Sequence, residues 1–207
     1  MIESVLILFR HGNTFEAGQT PLWVGARTDL PLTDEGEAQA RHAAAYVQKH
    51  HPSLDAVMAG PLQRTRRFAD IIAAAARQSV SVDDRLREID YGLWEGLSSD
   101  EITQRFGSSA FEAWEKNSQR PEDMNWSPPL AILQNDLCDF LQEQREKLKP
   151  GSMTRLTVTS NGILRVLHQI ITGDAAASSA KVKTGHFCVL EPKDVGWKIQ
   201  AWNAKPA

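Results

Sequence analysis

The sequence predicts an α/β sandwich built on a mainly parallel sheet. Three observations carry this. Short apolar runs alternate with longer segments of helical spacing along the chain. The first of those runs, Val5-Leu6-Ile7-Leu8-Phe9, is continuously apolar, as a strand buried on both faces must be. Polar clusters then follow directly on two of the strand segments, where ligands collect in such sheets.

Taken in order, residues 4–9 form the first predicted strand. Thr33 followed by Asp34 and Glu35 reads as an N-cap with an acidic first turn, opening an Ala-rich helix that runs to about His50. Leu54 to Met58 is a second short strand, and Pro61 suits the first position of a helix reaching about Arg77. Ser98-Ser99-Asp100-Glu101 has the form of a capping box and starts another helix. The stretch from Gly107 to Pro129, rich in Trp, Pro and charge, reads as an irregular or helical excursion. Leu130, Leu133, Leu137, Phe140 and Leu141 share one helical face within residues 130–148. A strand at Leu156 to Thr159 breaks at Asn161-Gly162, a helix follows from Ile163 to Ile171, and strands at 187–191 and 197–202 finish the chain.

The 207 residues suffice for one well-buried domain, and 42% hydrophobic with 24% charged residues is an ordinary globular composition. A formal net charge of −3 speaks against a general attraction to nucleic acid or to an anionic membrane, so an anionic substrate needs a local cluster of Arg or His. The first apolar run is too short for a signal segment and follows Glu3, and no stretch is long enough to span a bilayer. Cys138 and Cys188 form neither a disulfide framework nor a metal-binding spacing. A reducing cytoplasm is the expected compartment.

Three polar segments can carry chemistry. Arg10-His11-Gly12-Asn13-Thr14 follows the first strand: an imidazole at a strand end can attack phosphorus, Gly12 admits a ligand close to the backbone, and Arg10 offers a fork of donors matched to phosphate. Gly60-Pro61-Leu62-Gln63-Arg64-Thr65 lies at a strand-to-helix junction that favours anions. Arg85 to Gly92 contains Glu88 and Asp90, either of which can serve as a proton donor to a leaving alkoxide. Taken singly, each has a plainer reading: a structural imidazole, a solvated helix arginine, surface carboxylates. Trp23, Trp114 and Trp126 can wall a pocket or pack in the core. His42, His50, His51 and His168 show no metal-ligand spacing.

In order along nearly the whole chain, these segments resemble the histidine phosphatase family, also called phosphoglycerate-mutase-like. Leu8 to Thr14 is similar to the family signature, Asp29 to Gly36 to its next landmark, Pro61 to Thr65 to its second arginine motif, and Leu86 to Gly96 to its acid motif. The resemblance implies a three-layer sandwich, a mainly parallel central sheet with helices on both faces, and one histidine-phosphatase-like domain over 1–207. It implies a metal-independent phosphatase acting on a small phosphomonoester without a cofactor. His11 is then the nucleophile, Glu88 the proton donor, and Arg10, Arg64 and Asn13 bind phosphate, with Asp90 left to a structural role. Water would release the phosphohistidine. No nucleic acid or membrane partner is implied, and the oligomeric state is open.

One position departs from the pattern. Where the family carries a second histidine, this chain has Ser160, whose hydroxyl can hydrogen-bond a phosphate oxygen but carries no charge. Loss of one preorganised donor costs about 100- to 1,000-fold in rate. His186, at the entry to a later strand, is the candidate to compensate by pointing into the site. Ser160 also keeps a second reading alive, a weakly active or non-catalytic phospho-ligand binder. A phosphoglycerate mutase is the third. Against the mutase, Ser98 and Ser99 stand where mutases carry a lysine, no Arg-Arg pair lies between Gly107 and Pro129, and Val24 replaces a small hydroxyl residue. Tyr91 alone is mutase-like. A Trp-lined rim without extra cations suits a monoester with a less charged body.

Overall fold

The computed structural model describes residues 4–148, 153–174 and 178–207. Six strands form one sheet in the order β3-β2-β4-β1-β5-β6. They are β1 (Val5–Arg10), β2 (Ala56–Ala59), β3 (Val80–Val82), β4 (Thr154–Thr159), β5 (Phe187–Pro192) and β6 (Trp197–Ala204). The β3-β2, β2-β4 and β4-β1 pairs are parallel, whereas β5 runs antiparallel to β1 and β6 antiparallel to β5. The predicted class holds: a mostly parallel sheet between two helical layers.

Alternation along β1 shows why the run had to be apolar throughout. Leu6 and Leu8 enter one core with helices α5 (Leu130–Lys147) and α6 (Asn161–Thr172), while Ile7 and Phe9 enter the other with α1 (Asp34–His50) and α2 (Gln63–Ala76). All four side chains are fully buried, each worth about 1.5–3 kcal/mol in transfer free energy. The first core also takes in α3 (Ser99–Phe106), through Ile102, and α4 (Ser108–Asn117), through Trp114. Among the described residues no helix is long and apolar enough to cross a membrane.

Local signals set most element starts. The Thr33 hydroxyl accepts the Gly36 N–H at 3.1 Å and caps α1. Ser98 and Glu101 form the full reciprocal capping box at α3. Two boundaries differ from expectation, at Pro61 and at Asn161-Gly162, while the 107–129 excursion is part helical and part irregular as expected. Pro61 precedes α2 rather than opening it, because Gly60 packs against the Leu86 carbonyl and the Thr65 hydroxyl donates to the Gly60 and Leu62 carbonyls, so regular helix begins at Gln63. Asn161 and Gly162 belong to α6 instead of breaking the chain before it. The 107–129 excursion holds α4, followed by turns with positive φ at Ser118, Asp123 and Asn125. The three-residue β3 and its largely exposed side chains offered no periodicity to read.

Parallel pairing brings the functional segments to one edge. Arg10 is in register with Thr159, and Ala59 with Val158, so the carboxyl ends of β1, β2 and β4 lie side by side. Residues 10–14, 60–65 and 160–162 therefore converge at the place where α/β sheets bind ligands. Gly12 and Gly36 lock the first of these loops onto α1, since a Cβ on either glycine would overlap the other segment's backbone, Gly36 in one case and Asn13 in the other. Thr33→Ala is expected to lower the unfolding free energy by about 1 kcal/mol without altering the denaturant m-value, as measured by urea titration.

Candidate active site

His11 sits one residue beyond β1, its N–H bonded to the Thr159 carbonyl at 3.1 Å, with the ring buried. The ring Nδ1 lies 2.8 Å from the Gly12 carbonyl oxygen, which can only accept, so Nδ1 carries the proton. Nε2 is left with a free lone pair. Burial, followed by the nearby guanidinium groups of Arg64 and Arg10, holds the imidazole well below the ordinary histidine range, against the weaker opposing pull of the Gly12 bond. A neutral imidazole in this tautomer is a nucleophile at neutral pH.

The two arginines are held by backbone carbonyls. Arg10 donates through Nη1 to the Val182 carbonyl at 2.7 Å, and Arg64 donates through Nη1 to the Thr28 carbonyl at 2.8 Å and through Nη2 to the Gly25 carbonyl at 3.0 Å. Asp29 lies 4.0 Å from Arg64. The Nε of each arginine is buried without a hydrogen-bond partner among the described residues. Such donors are stiff and already desolvated, as electrostatic stabilisation of an oxyanion requires.

Glu88 faces them, buried. Its Oε1 accepts the Ile89 N–H at 2.9 Å and its Oε2 accepts the Gly162 N–H at 3.1 Å, at the first turn of α6. Burial pushes this carboxyl above the usual range, only partly offset by those two backbone bonds and by Arg64 and Arg10. The Tyr91 hydroxyl lies beside the same carboxyl, against Gly162, and burial raises the phenol well above its ordinary range. Gly162 is what admits both groups: a Cβ there would overlap Glu88 Oε1 and lie 2.7 Å from the Tyr91 oxygen. That contact explains why a glycine stands at position 162 inside a helix.

Arg10, His11, Asn13 and Glu88 all line one cleft of about 730 Å³, with Phe15, Trp23 and Val24 on its walls. Asn13 Oδ1 accepts the Thr184 hydroxyl at 2.5 Å, so its amide nitrogen is the group it can turn to an anion. Behind the wall, Trp23, Tyr91, Trp94, Trp114 and Trp126 pack edge to face with centroids 4.8–6.3 Å apart. Trp23 and Trp114 reach the cleft, whereas Trp126 is a core residue.

Three expected groups do not line the cleft, Ser160, His186 and Arg64. Ser160 stands at the carboxyl end of β4, wholly buried, its hydroxyl without a partner among the described residues. His186 turns the other way, its Nδ1 3.0 Å from the Asn203 carbonyl on β6, and only its own carbonyl, which accepts the Arg10 N–H at 3.0 Å, touches the site's frame. Arg64 lies behind His11 rather than in the cleft wall. Asp90 pairs with Arg27 at 3.0 Å and accepts the Gly92 N–H, a turn-forming role. The rim also holds a cation, Lys181, and a carboxylate, Glu115, which no motif announced. Among the described residues, no group of three or more His, Cys, Asp or Glu could hold a metal ion.

The profile of the histidine phosphatase superfamily (branch 1) matches residues 6–205. The chain belongs to this family. Phosphoserine phosphatase 1 of Hydrogenobacter thermophilus is 31% identical over 142 residues, 69% of this chain but only 64% of that protein's length. A probable phosphoglycerate mutase, GpmB, of Erwinia tasmaniensis is 38% identical over 217 residues, covering 97% of this chain and 90% of its own. In fold, the solved structure of mycobacterial hydrolase 1 superposes with a TM-score of 0.82 at 20% identity, covering 97% of this chain and 98% of that one. The histidine phosphatase relatives thus include both phosphatases and mutases.

Gly162→Ala tests the packing around Glu88. Alanine is favoured over glycine in helices by roughly 0.5–1 kcal/mol, yet here overpacking is expected to outweigh it and leave the variant about 1–3 kcal/mol less stable. Chemical denaturation compared with wild type reads the sign.

Proposed function

We propose that this histidine phosphatase family member is a metal-independent phosphatase of small phosphomonoesters, working through a phosphohistidine on His11. The observation that carries the reading is the bare Nε2 of a neutral, buried His11, in one cleft with Arg10 and a Glu88 carboxyl biased toward its protonated form. We read residues 1–207 as one domain, supported by a sheet that joins the first strand to the last two.

In the first half-reaction His11 Nε2 attacks phosphorus and the ester P–O bond breaks. Glu88 gives its proton to the departing alkoxide, and Arg10 and the Asn13 amide take up the charge on the phosphoryl oxygens, with the buried Arg64 adding its positive field from behind His11. In the second half-reaction water attacks the phosphohistidine, Glu88 accepts its proton, and His11 returns to the neutral state as phosphate leaves. The Ile89 and Gly162 N–H groups keep the Glu88 carboxyl aimed through both halves.

Ser160 favours a second reading, because a neutral, buried hydroxyl supplies no charge where the family resemblance places a histidine. Its loss would slow the chemistry by about 100- to 1,000-fold, and in the limit would leave a phospho-ligand binder. Acid-labile phosphate on His11 after incubation with substrate distinguishes turnover from binding. The relationship to a probable mutase motivates a third assay, isomerisation of 3-phosphoglycerate, for which no activity is expected.

Three outcomes test the main reading. His11→Ala abolishes hydrolysis of a generic aryl phosphate, and the wild-type rate is unchanged by chelators; activity surviving in the variant refutes the mechanism. The pH profile of kcat/KM is bell-shaped. Because the His11 pKa is lowered, its neutral form persists to the acid side and activity falls only as pH drops through that lowered value; because the Glu88 pKa is raised, activity falls again as pH rises through it. Glu88→Gln removes the alkaline limb and lowers the rate on alkyl phosphates by about 100- to 10,000-fold, as seen in steady-state assays.

A further inference from the structure

Outside the phosphate end, the cleft carries an uneven set of charges. Glu16, Glu35 and Glu115 line it, and among the described lining residues Lys181 is the one cation besides Arg10. A lysine in that place would ordinarily attract a second anionic group on the substrate. Here it is occupied: Lys181 Nζ lies 2.5 Å from Glu115 Oε2.

The pair is built into the fold on both sides. Glu115 Oε1 lies 3.2 Å from the guanidinium of the buried Arg165, which also donates to the Trp114 carbonyl at 2.6 Å and to the Ser118 hydroxyl at 2.9 Å, and stacks 4.9 Å from the Trp114 ring. Arg165 rises from α6, one turn beyond Asn161, so it fixes the end of α4 to the helix that holds Glu88. The Lys181 segment is pinned as well. The Val182 N–H donates to Asn161 Oδ1 at 2.9 Å, its carbonyl accepts from Arg10, and Lys183 N–H donates to Asn203 Oδ1 at 2.8 Å. An exposed ion pair between two loose side chains contributes little, but one whose carboxylate is clamped from a buried guanidinium has little freedom to open.

We propose that Glu115 is a specificity-determining residue. By holding the Lys181 ammonium in an ion pair it keeps that donor from the substrate and, with Glu16 and Glu35 at the mouth, confines the cleft to phosphomonoesters whose alcohol part is apolar or aromatic and carries no further anionic group. The apolar walls offer that body its contacts through Phe15, Leu22, Trp23 and Val24, and the carboxylates Glu16 and Glu35 repel a second anion at the mouth. This inference rests on the phosphatase reading, and its test separates the two.

Benzyl phosphate and 4-carboxybenzyl phosphate share a leaving alcohol and differ in one remote charge. The wild-type protein is expected to prefer benzyl phosphate by about tenfold or more in kcat/KM, the size of one unscreened charge contact at a partly exposed site. Glu115→Gln, whose amide oxygen can still accept from Arg165, narrows that ratio about tenfold by releasing Lys181 toward the substrate carboxylate. Adding Lys181→Met to it restores the discrimination, and the effect shrinks in high salt as exposed charges are screened. An unchanged ratio in Glu115→Gln, or a wild-type protein indifferent to the carboxylate, overturns the proposal. Calorimetric binding of benzylphosphonate and 4-carboxybenzylphosphonate gives the ratio without turnover. A shift there in a protein that hydrolyses neither ester supports the charge selection and refutes the phosphatase reading, while hydrolysis with no shift does the reverse.

Discussion

β1 is buried on both faces, and its four central side chains are all apolar. Its polar chemistry has to wait for the carboxyl end, where Arg10 and His11 emerge at the sheet edge. Parallel pairing with β4, and of β4 with β2, then forces the ends of three strands to the same edge. The cleft is the space those ends and the helices after them enclose. Placement of the imidazole thus follows from the burial of Leu6, Ile7, Leu8 and Phe9.

Burial at that edge also sets the protonation states. Removing His11 from water, between two guanidinium groups, favours its neutral form, and removing Glu88 from water favours its protonated form. The same desolvation acts in opposite directions on the two groups, lowering the pKa of the imidazole and raising that of the carboxyl. The arginines stay in this dry setting because carbonyls of Gly25, Thr28 and Val182 satisfy their terminal nitrogens. Backbone carbonyls make their hydrogen bonds, and the nearest carboxylate pairing, Asp29 with Arg64, is a long one of 4.0 Å.

A second layer ties the walls to this centre. Gly162 lets Glu88 and Tyr91 approach α6, and three residues later Arg165 reaches from the same helix to the end of α4. The aromatic group around Tyr91, Trp94 and Trp126 fills the space between. One helix therefore orients the acid and the substrate-facing rim together, so a change in either is felt by the other.

The apolar run of β1, the Thr33 cap, the Ser98 capping box and the ordered motifs around His11, Arg64 and Glu88 were readable from the sequence, because each rests on local spacing. They determined the layered α/β class, the family resemblance and the candidate nucleophile. Only the tertiary structure decided which groups share the cleft. His186 sits close to the site along the chain but spends its ring on Asn203, across the β5-β6 pair, and Ser160 is sealed at the head of α6. Lys181 and Glu115, 66 residues apart, meet only because Arg165 and Asn161 bring their segments to one helix end. No local pattern encodes such a pair: the direction of a side chain and the charge opposite it depend on what packs against it from elsewhere in the chain.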